Sequence, residues 1–276
     1  MALTVNTNST AMSALNHLNN TNSALSDTFG RISSGLRINS ASDDAAGLAV
    51  AENLDAQSRS LRQAARNTND GISTIQTAEG STNEVGNILK RMRELAVQSS
   101  SETLQDDERE YIQDEFEQLS SEVDRIASTT NFNGVSLSDG SSTQLSVQVG
   151  IYDTSNDRIT FELGDLRATS LGIDTGNVDL SAASSAQSAI DTIDTALDSV
   201  NGYRSEFGAA QNRLESSLAN LQTYTENISA AESRIRDADF AHETAEMSKY
   251  QIMQNAGVAV LGQANSLNQG ALRLIG

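Results

Sequence analysis

From Ile190 to Ile235 the chain carries one helical stripe with no proline to interrupt it. Ile190, Ile193, Leu197, Val200, Phe207, Leu214, Leu218, Leu221, Ile228 and Ile235 fall on alternating three- and four-residue steps, with Arg204, Gln211, Thr225 and Glu232 as the polar members. A continuous helix over roughly 46 residues is about 70 Å long at 1.5 Å per residue. A compact globule of this chain length would be only roughly 50 Å across. The stripe therefore predicts an elongated, coiled-coil-like helical rod.

Three further seams repeat the pattern. Leu15, Leu18, Asn22, Leu25, Phe29, Ile32 and Leu36 form the first, near the N-terminus. Leu54, Ser58, Leu61, Ala65, Thr68, Ile72 and Ile75 form the second, which continues after a shift through Val85, Ile88, Met92 and Leu95. Ile112, Phe116, Leu119, Val123 and Ile126 form the third, behind an acidic first turn at Asp106 to Glu108 that suits a helix N-terminus. Between the helical halves, Leu145, Val147 and Val149 alternate, as do Ile159, Phe161 and Leu163, which predicts a β-hairpin near 143–164 turning through Asp153 to Asp157. The flanking stretches FNGVSLSDG and LGIDTGNVDL are turn-rich and read as short strands and turns. The fold class predicted is mainly α, a long coiled-coil-like helical rod with a small β-hairpin insert.

The formal charge of −19 argues against nucleic acid as a partner, because a phosphate backbone requires a basic face. Without cysteine there are no disulfides or thiolate metal sites, and without proline there is no slow isomerisation in refolding. No apolar run reaches membrane-spanning length, and no basic segment followed by an apolar one marks a cleaved signal, so export is expected to use another route.

The acidity is confined to the middle. No charged side chain precedes Asp27, and from Tyr250 to Gly276 only Arg273 is charged. Met253, Val260, Leu267 and Leu274 recur every seven residues, with the small residues Gly257, Ala264 and Ala271 between them, so another helix can approach closely. Burying the large apolar side chains of this end contributes at most ~15 to 25 kcal/mol. Ordering about 27 residues costs about 1 to 2 kcal/mol each. The segment is expected to need partners on more than one face.

Nothing in the chain asks for catalysis. HETAEM at 242–247 resembles the HExxH zinc pattern but has Glu246 where the second histidine belongs, and His17 is the only other histidine. Asp43 and Asp44, after Ser40 and Ser42, read as part of a helix cap, with serine hydroxyls accepting backbone N–H groups and the early aspartates complementing the helix dipole, rather than as paired catalytic carboxylates. No metal or cofactor is expected. KRMRELAVQ at 90–98 reads as a helix with Met92 and Leu95 inside, its charges either solvated or, at Arg91 and Arg93, paired with acidic neighbours.

Several long stretches, in order and at both ends, resemble bacterial flagellin: ISSGLRINSASDDAAGLAVA (32–51), RNTNDGISTIQTAEG (66–80), RMRELAVQ (91–98), FNGV (132–135) and the run from Ser233 to Gly276. The resemblance implies a structural, non-enzymatic subunit that polymerises with itself into the extracellular filament used for swimming. It implies that the N- and C-terminal helices pair, giving an inner-tube core from residues 1–44 and 236–276 and an outer helical-rod domain from 45–235, without large added domains. It also implies type III export, an export chaperone for the C-terminal segment, and cap and hook-junction partners. Assembly would rest on Leu15, Leu18, Leu25, Phe29, Ile32, Leu36, Met253, Val260, Leu267 and Leu274. In flagellins recognised by the vertebrate innate immune Toll-like receptor, the matching contact positions are Arg91, Leu95 and Glu115. The rival readings are a hook–filament junction protein, which shares terminal helical patterns, a flagellin with embedded metalloprotease activity, and a soluble coiled-coil binding module, which leaves the charge-free ends unexplained.

Overall fold

The computed structural model describes residues 7–273, with side chains described through Ser266. Six α-helices run in the order α1 (Ser9–Ser34), α2 (Ala45–Ser99), α3 (Asp106–Thr129), α4 (Ala168–Leu171), α5 (Ala183–Arg236) and α6 (Phe240–Arg273). Four short strands lie between α3 and α4: β1 (Asn131–Phe132), β2 (Val135–Ser136), β3 (Gln144–Gln148) and β4 (Arg158–Glu162). The chain divides into two compact units, one of residues up to Ser58 together with those from Glu226 onward, the other Arg59–Thr225. Among the described residues no helix is long and apolar enough to cross a membrane.

The proline-free stripe does form one helix, α5, which begins seven residues earlier than the seam (190 − 183). In the 59–225 unit the core consists of α2, α3 and α5 packed mostly through the predicted positions. Val85, Leu89, Met92 and Leu95 come from α2, Ile112, Phe116 and Val123 from α3, and Ile193 and Val200 from α5. Leu89 takes the fully buried place where the seam predicts Ile88, which is half-buried beside it. A row of alanines, Ala186, Ala189 and Ala196, is also buried on α5, where small side chains let neighbouring backbones approach closely.

The hairpin is antiparallel, pairing Leu145 with Phe161 and Val147 with Ile159. Its inward face, Val147, Val149, Ile159, Phe161 and Leu163, closes a second core against Ile75, Phe207 and Leu214. Close approach matters here: a Cβ at Gly71 would lie 2.9 Å from Val147 Cγ2, so a glycine is what lets the hairpin sit on α2. FNGV makes the small β1–β2 ladder, with Asn133 (φ 50°) and Gly134 (φ 82°) at its turn.

LGIDTGNVDL, by contrast, contains no strand. Its backbone is held by side chains of the helices beneath it, and its apolar residues Ile173, Val178 and Leu180 are buried. Ser99 Oγ donates to Leu180 O (2.6 Å), Gln113 accepts from Leu180 N–H (2.8 Å), and Ser120 Oγ donates to Ile173 O (3.2 Å). Asp124 likewise accepts from Ala168 N–H at 2.8 Å. With their backbone groups satisfied in this way, irregular segments can be buried without strand partners.

The α2–α3 junction uses a similar device. The carbonyls ending α2 lack intrahelical partners, and the buried Arg109 supplies them. Its Nε donates to Ser99 O at 3.1 Å and its Nη2 to Ser101 O at 2.8 Å, while Asp106 accepts from Nη1 at 3.3 Å. Arg109→Ala is expected to lower the unfolding free energy of this unit by about 2–3 kcal/mol, since buried acceptors lose charged donors. Urea denaturation followed by circular dichroism checks this.

Candidate functional site

The charge-poor ends of the chain meet as a helical pair. Asn8 Nδ2 donates to Ala264 O (3.1 Å), Gln254 Nε2 donates to Asn22 Oδ1 (2.8 Å), and Arg31 faces Glu243 at 3.5 Å. These pairings run in opposite order along the two helices, so α1 and α6 are antiparallel. A Cβ at Gly257 would lie 3.2 Å from Leu18 Cδ1. Gly257 and the buried Ala264 are thus the small residues that admit α1, as the seven-residue spacing predicts.

Both helices break at the same level, where the chain forms a clasp. Gly35 ends α1 in the left-handed conformation (φ 73°) that glycine adopts readily, donating to Arg31 O. Leu36 and Asp237 form an antiparallel bridge, with Arg37 N–H on Arg236 O (2.7 Å) and Ala238 N–H on Gly35 O (2.9 Å). The Arg37 guanidinium adds a bond to Ile235 O at 2.6 Å. Asp239 Oδ1 then accepts from Ala241 N–H and His242 N–H, capping α6.

The acidic pair beyond the clasp is structural, but the groups doing the capping differ from the expectation. Ser40 and Ser42 hydroxyls bond to each other at 2.6 Å, while Asp44 Oδ1 accepts Gly47 N–H at 2.9 Å at the start of α2. Asp43 Oδ2 accepts from the N–H groups of Ser40 and Asn39, and these bonds hold its carboxyl below the usual carboxylate range. A carboxylate outcompetes a hydroxyl as acceptor because its charge strengthens each bond. In HETAEM, Glu243 is buried against Arg31, and Glu246 pairs with Lys249 at 2.9 Å, which lowers its pKa.

The face of α1 turned toward α6 is offset from the heptad seam. Thr21 and Thr28 are buried, with Leu18, Leu25 and Ile32 half-buried beside them. Each threonine hydroxyl donates back to its own helix, to His17 O and Ala24 O, which leaves the methyl group to pack. Leu15 and Phe29 point outward, Phe29 being 64% exposed. On α6, Tyr250, Gln254, Gly257 and Leu261 are half-buried, whereas Met253 and Val260 are exposed at 46% and 55%. Leu36 lies half-buried in the clasp; Leu274 and the Leu267 side chain lie outside the described residues.

The terminal pair therefore presents Met12, Leu15, Phe29, Ile252, Met253, Val258 and Val260 to solvent. Apolar exposure on this scale marks an interaction surface. A cleft of about 490 Å³ opens between the helices, lined by Ala14, Leu18, Tyr250, Met253, Gly257 and Val260 among others. The inward threonines and Gln254 were missed in the sequence because polar residues do not register in an apolar stripe. For the threonines, the three- and four-residue spacing alongside Leu18, Leu25 and Ile32 is the available signal.

In the second unit, Arg91 and Glu115 meet across α2 and α3. Arg91 Nη2 and Nε both donate to Glu115 Oε1, at 2.8 and 3.0 Å, and Nη1 donates to Glu94 at 3.0 Å. These bonds raise the Arg91 pKa, Glu115 contributing most. Arg93 pairs with Asp194 at 2.6 Å. Leu95 is only 1% exposed, inside the core with Met92.

Residues 5–143 match the bacterial flagellin N-terminal helical region, and residues 190–275 match the bacterial flagellin C-terminal helical region. Over 245 residues the chain is 47% identical to a flagellin of Halalkalibacterium halodurans, covering 89% of each. It is 39% identical over 301 aligned residues to the flagellin of Bacillus subtilis (strain 168), covering 98% of this chain and 99% of that one. The crystal structure of Bacillus cereus flagellin is 34% identical, spans 60% of this chain and 94% of that one, and superposes with a TM-score of 0.49.

Proposed function

The chain belongs to the bacterial flagellin family, a structural filament subunit and not an enzyme, and we propose that its charge-poor α1–α6 pair is the part that drives assembly. The observation that supports this is the row of exposed apolar residues on that pair, Leu15, Phe29, Met253 and Val260 among them. One side of each helix is already used within the chain, so the outward side remains for other copies. Contacts of two different surfaces, repeated head to tail without closing, generate a helical filament.

In this reading residues 1–44 and 236–276 build the inner tube and 45–235 the outer domain, a division supported by the helix breaks at 35–44 and 237–239. Leu18, Leu25, Ile32 and Leu36 hold the pair together, and Leu267 and Leu274 are assigned to assembly by their seven-residue spacing from Val260 in the sequence. The subunit is exported through the flagellar type III apparatus with its C-terminal segment chaperoned, and it joins the filament between hook-junction and cap proteins. The test is seeded polymerisation of the purified chain, viewed by electron microscopy. Long filaments support the reading; termination after a few subunits would favour a junction protein.

The vertebrate Toll-like flagellin receptor is proposed as an incidental partner of the Arg91–Glu115 pair, with Leu95 acting from the core to hold α2 in place. Arg91→Ala is expected to change folding stability by less than about 1 kcal/mol, as exposed ion pairs do. It should nevertheless reduce receptor activation in a reporter cell line by more than about tenfold, as loss of a central arginine anchor does. Unchanged activation would remove the receptor assignment.

A further inference from the structure

The dipeptide Asn-Gly occurs twice in the chain, at Asn133-Gly134 and at Asn201-Gly202. Glycine after asparagine leaves the following backbone nitrogen unhindered, which suits intramolecular attack on the side-chain amide. By local sequence the two sites are equivalent. Their structural settings are opposite.

Asn133 and Gly134 form the exposed tip of the β1–β2 turn, held by only two residue pairs, Asn131 with Ser136 and Phe132 with Val135. The Gly134 N–H donates no backbone hydrogen bond, and the Asn133 side-chain amide has no partner among the described residues. Bringing the Gly134 nitrogen onto Asn133 Cγ requires rotation about ψ and χ1 of Asn133, and opening the turn frees both. A ladder of two pairs opens at little cost. Asn201 and Gly202 sit near the middle of α5, where Gly202 N–H is tied into the helical ladder to Asp198 O. Attack there requires unwinding the helix beside the buried Val200.

We propose that Asn133 is a spontaneous deamidation site of this subunit, and that Asn201 is protected by its helix. The Gly134 nitrogen loses its proton to solvent and bonds to Asn133 Cγ; the Cγ–NH2 bond breaks and ammonia leaves, closing a succinimide ring. Water then adds to either ring carbonyl and opens the ring, giving aspartate or isoaspartate. One water is consumed, one ammonia is released, and no electrons are transferred.

The product alters its surroundings in two ways. A new carboxylate appears on the cleft that Asn133 shares with Asp70, Thr74 and Leu145. In the isoaspartate form an extra carbon enters the backbone of the turn, which breaks the register of β1 with β2. Leu137, whose N–H bonds to Thr130 O and whose side chain is buried against the hairpin core, lies directly beyond.

The experiment incubates the full-length chain in mildly alkaline buffer, natively and in concentrated urea, and follows aspartate and isoaspartate at both sites by tryptic peptide mass spectrometry. In the native chain, conversion at Asn133 should exceed that at Asn201 by at least about tenfold, the difference between an open turn and a closed helix. In urea the two rates should converge to within about threefold once structure is removed. Equal rates in the native chain would overturn the proposal, as would a native difference that persists unchanged in urea.

Discussion

Filament assembly is expected to be lost in Met253→Glu/Val260→Glu while the monomer's helical content is unchanged. Both side chains are exposed in the single chain, so a carboxylate there remains solvated and costs the fold little. Once copies pack over that face, each carboxylate must be desolvated without a partner, because the nearest charged residue on α6, Lys249, already pairs with Glu246. A penalty of about 3 kcal/mol per subunit raises the critical concentration by more than about 100-fold. Sedimentation and electron microscopy of seeded reactions, alongside circular dichroism of the monomer, separate the two effects. Normal filaments from this variant would show that the outward face of α6 is not an assembly surface.

The second large effect is expected in the core of the other unit. Phe116 is fully buried on α3 among side chains of α2 and α5, including Met92 and Ile193. Phe116→Ala should lower stability by about 3–5 kcal/mol through lost burial and the cavity left behind. That corresponds to roughly a 10 °C fall in Tm for a unit of this size. Tyr111, five residues earlier on the same helix, is 74% exposed and serves as the control. Tyr111→Ala should change stability by no more than about 0.5 kcal/mol. A comparable loss in both variants would mean that α3 does not pack as described. Thermal and urea melts decide this, since neither substitution removes a capping or charged group.

The pattern of legibility follows from what a periodicity encodes. The α5 stripe, the α3 seam and the 144–162 hairpin were readable because burial on one side forces a period of 3.6 or 2 on the apolar residues. The single-turn α4 and the buried stretch around Ile173 to Leu180 were not readable. Their backbone is satisfied by Ser99, Gln113, Ser120 and Asp124 from distant helices, a kind of pairing that leaves no local signal. The same holds for Arg109, whose role depends on carbonyls eight and ten positions back.

At the candidate site the sequence by itself determined that both ends are charge-poor helices with more apolar surface than one partner can cover. Only the tertiary structure decided how that surface is divided. Thr21, Thr28, Gln254 and Gly257 turn toward the intrachain partner, while Leu15, Phe29, Met253 and Val260 turn outward. A helix with apolar residues around much of its circumference has several stripes that could be buried. The chosen one is where small side chains allow backbones to approach and where threonine hydroxyls can be satisfied by their own helix.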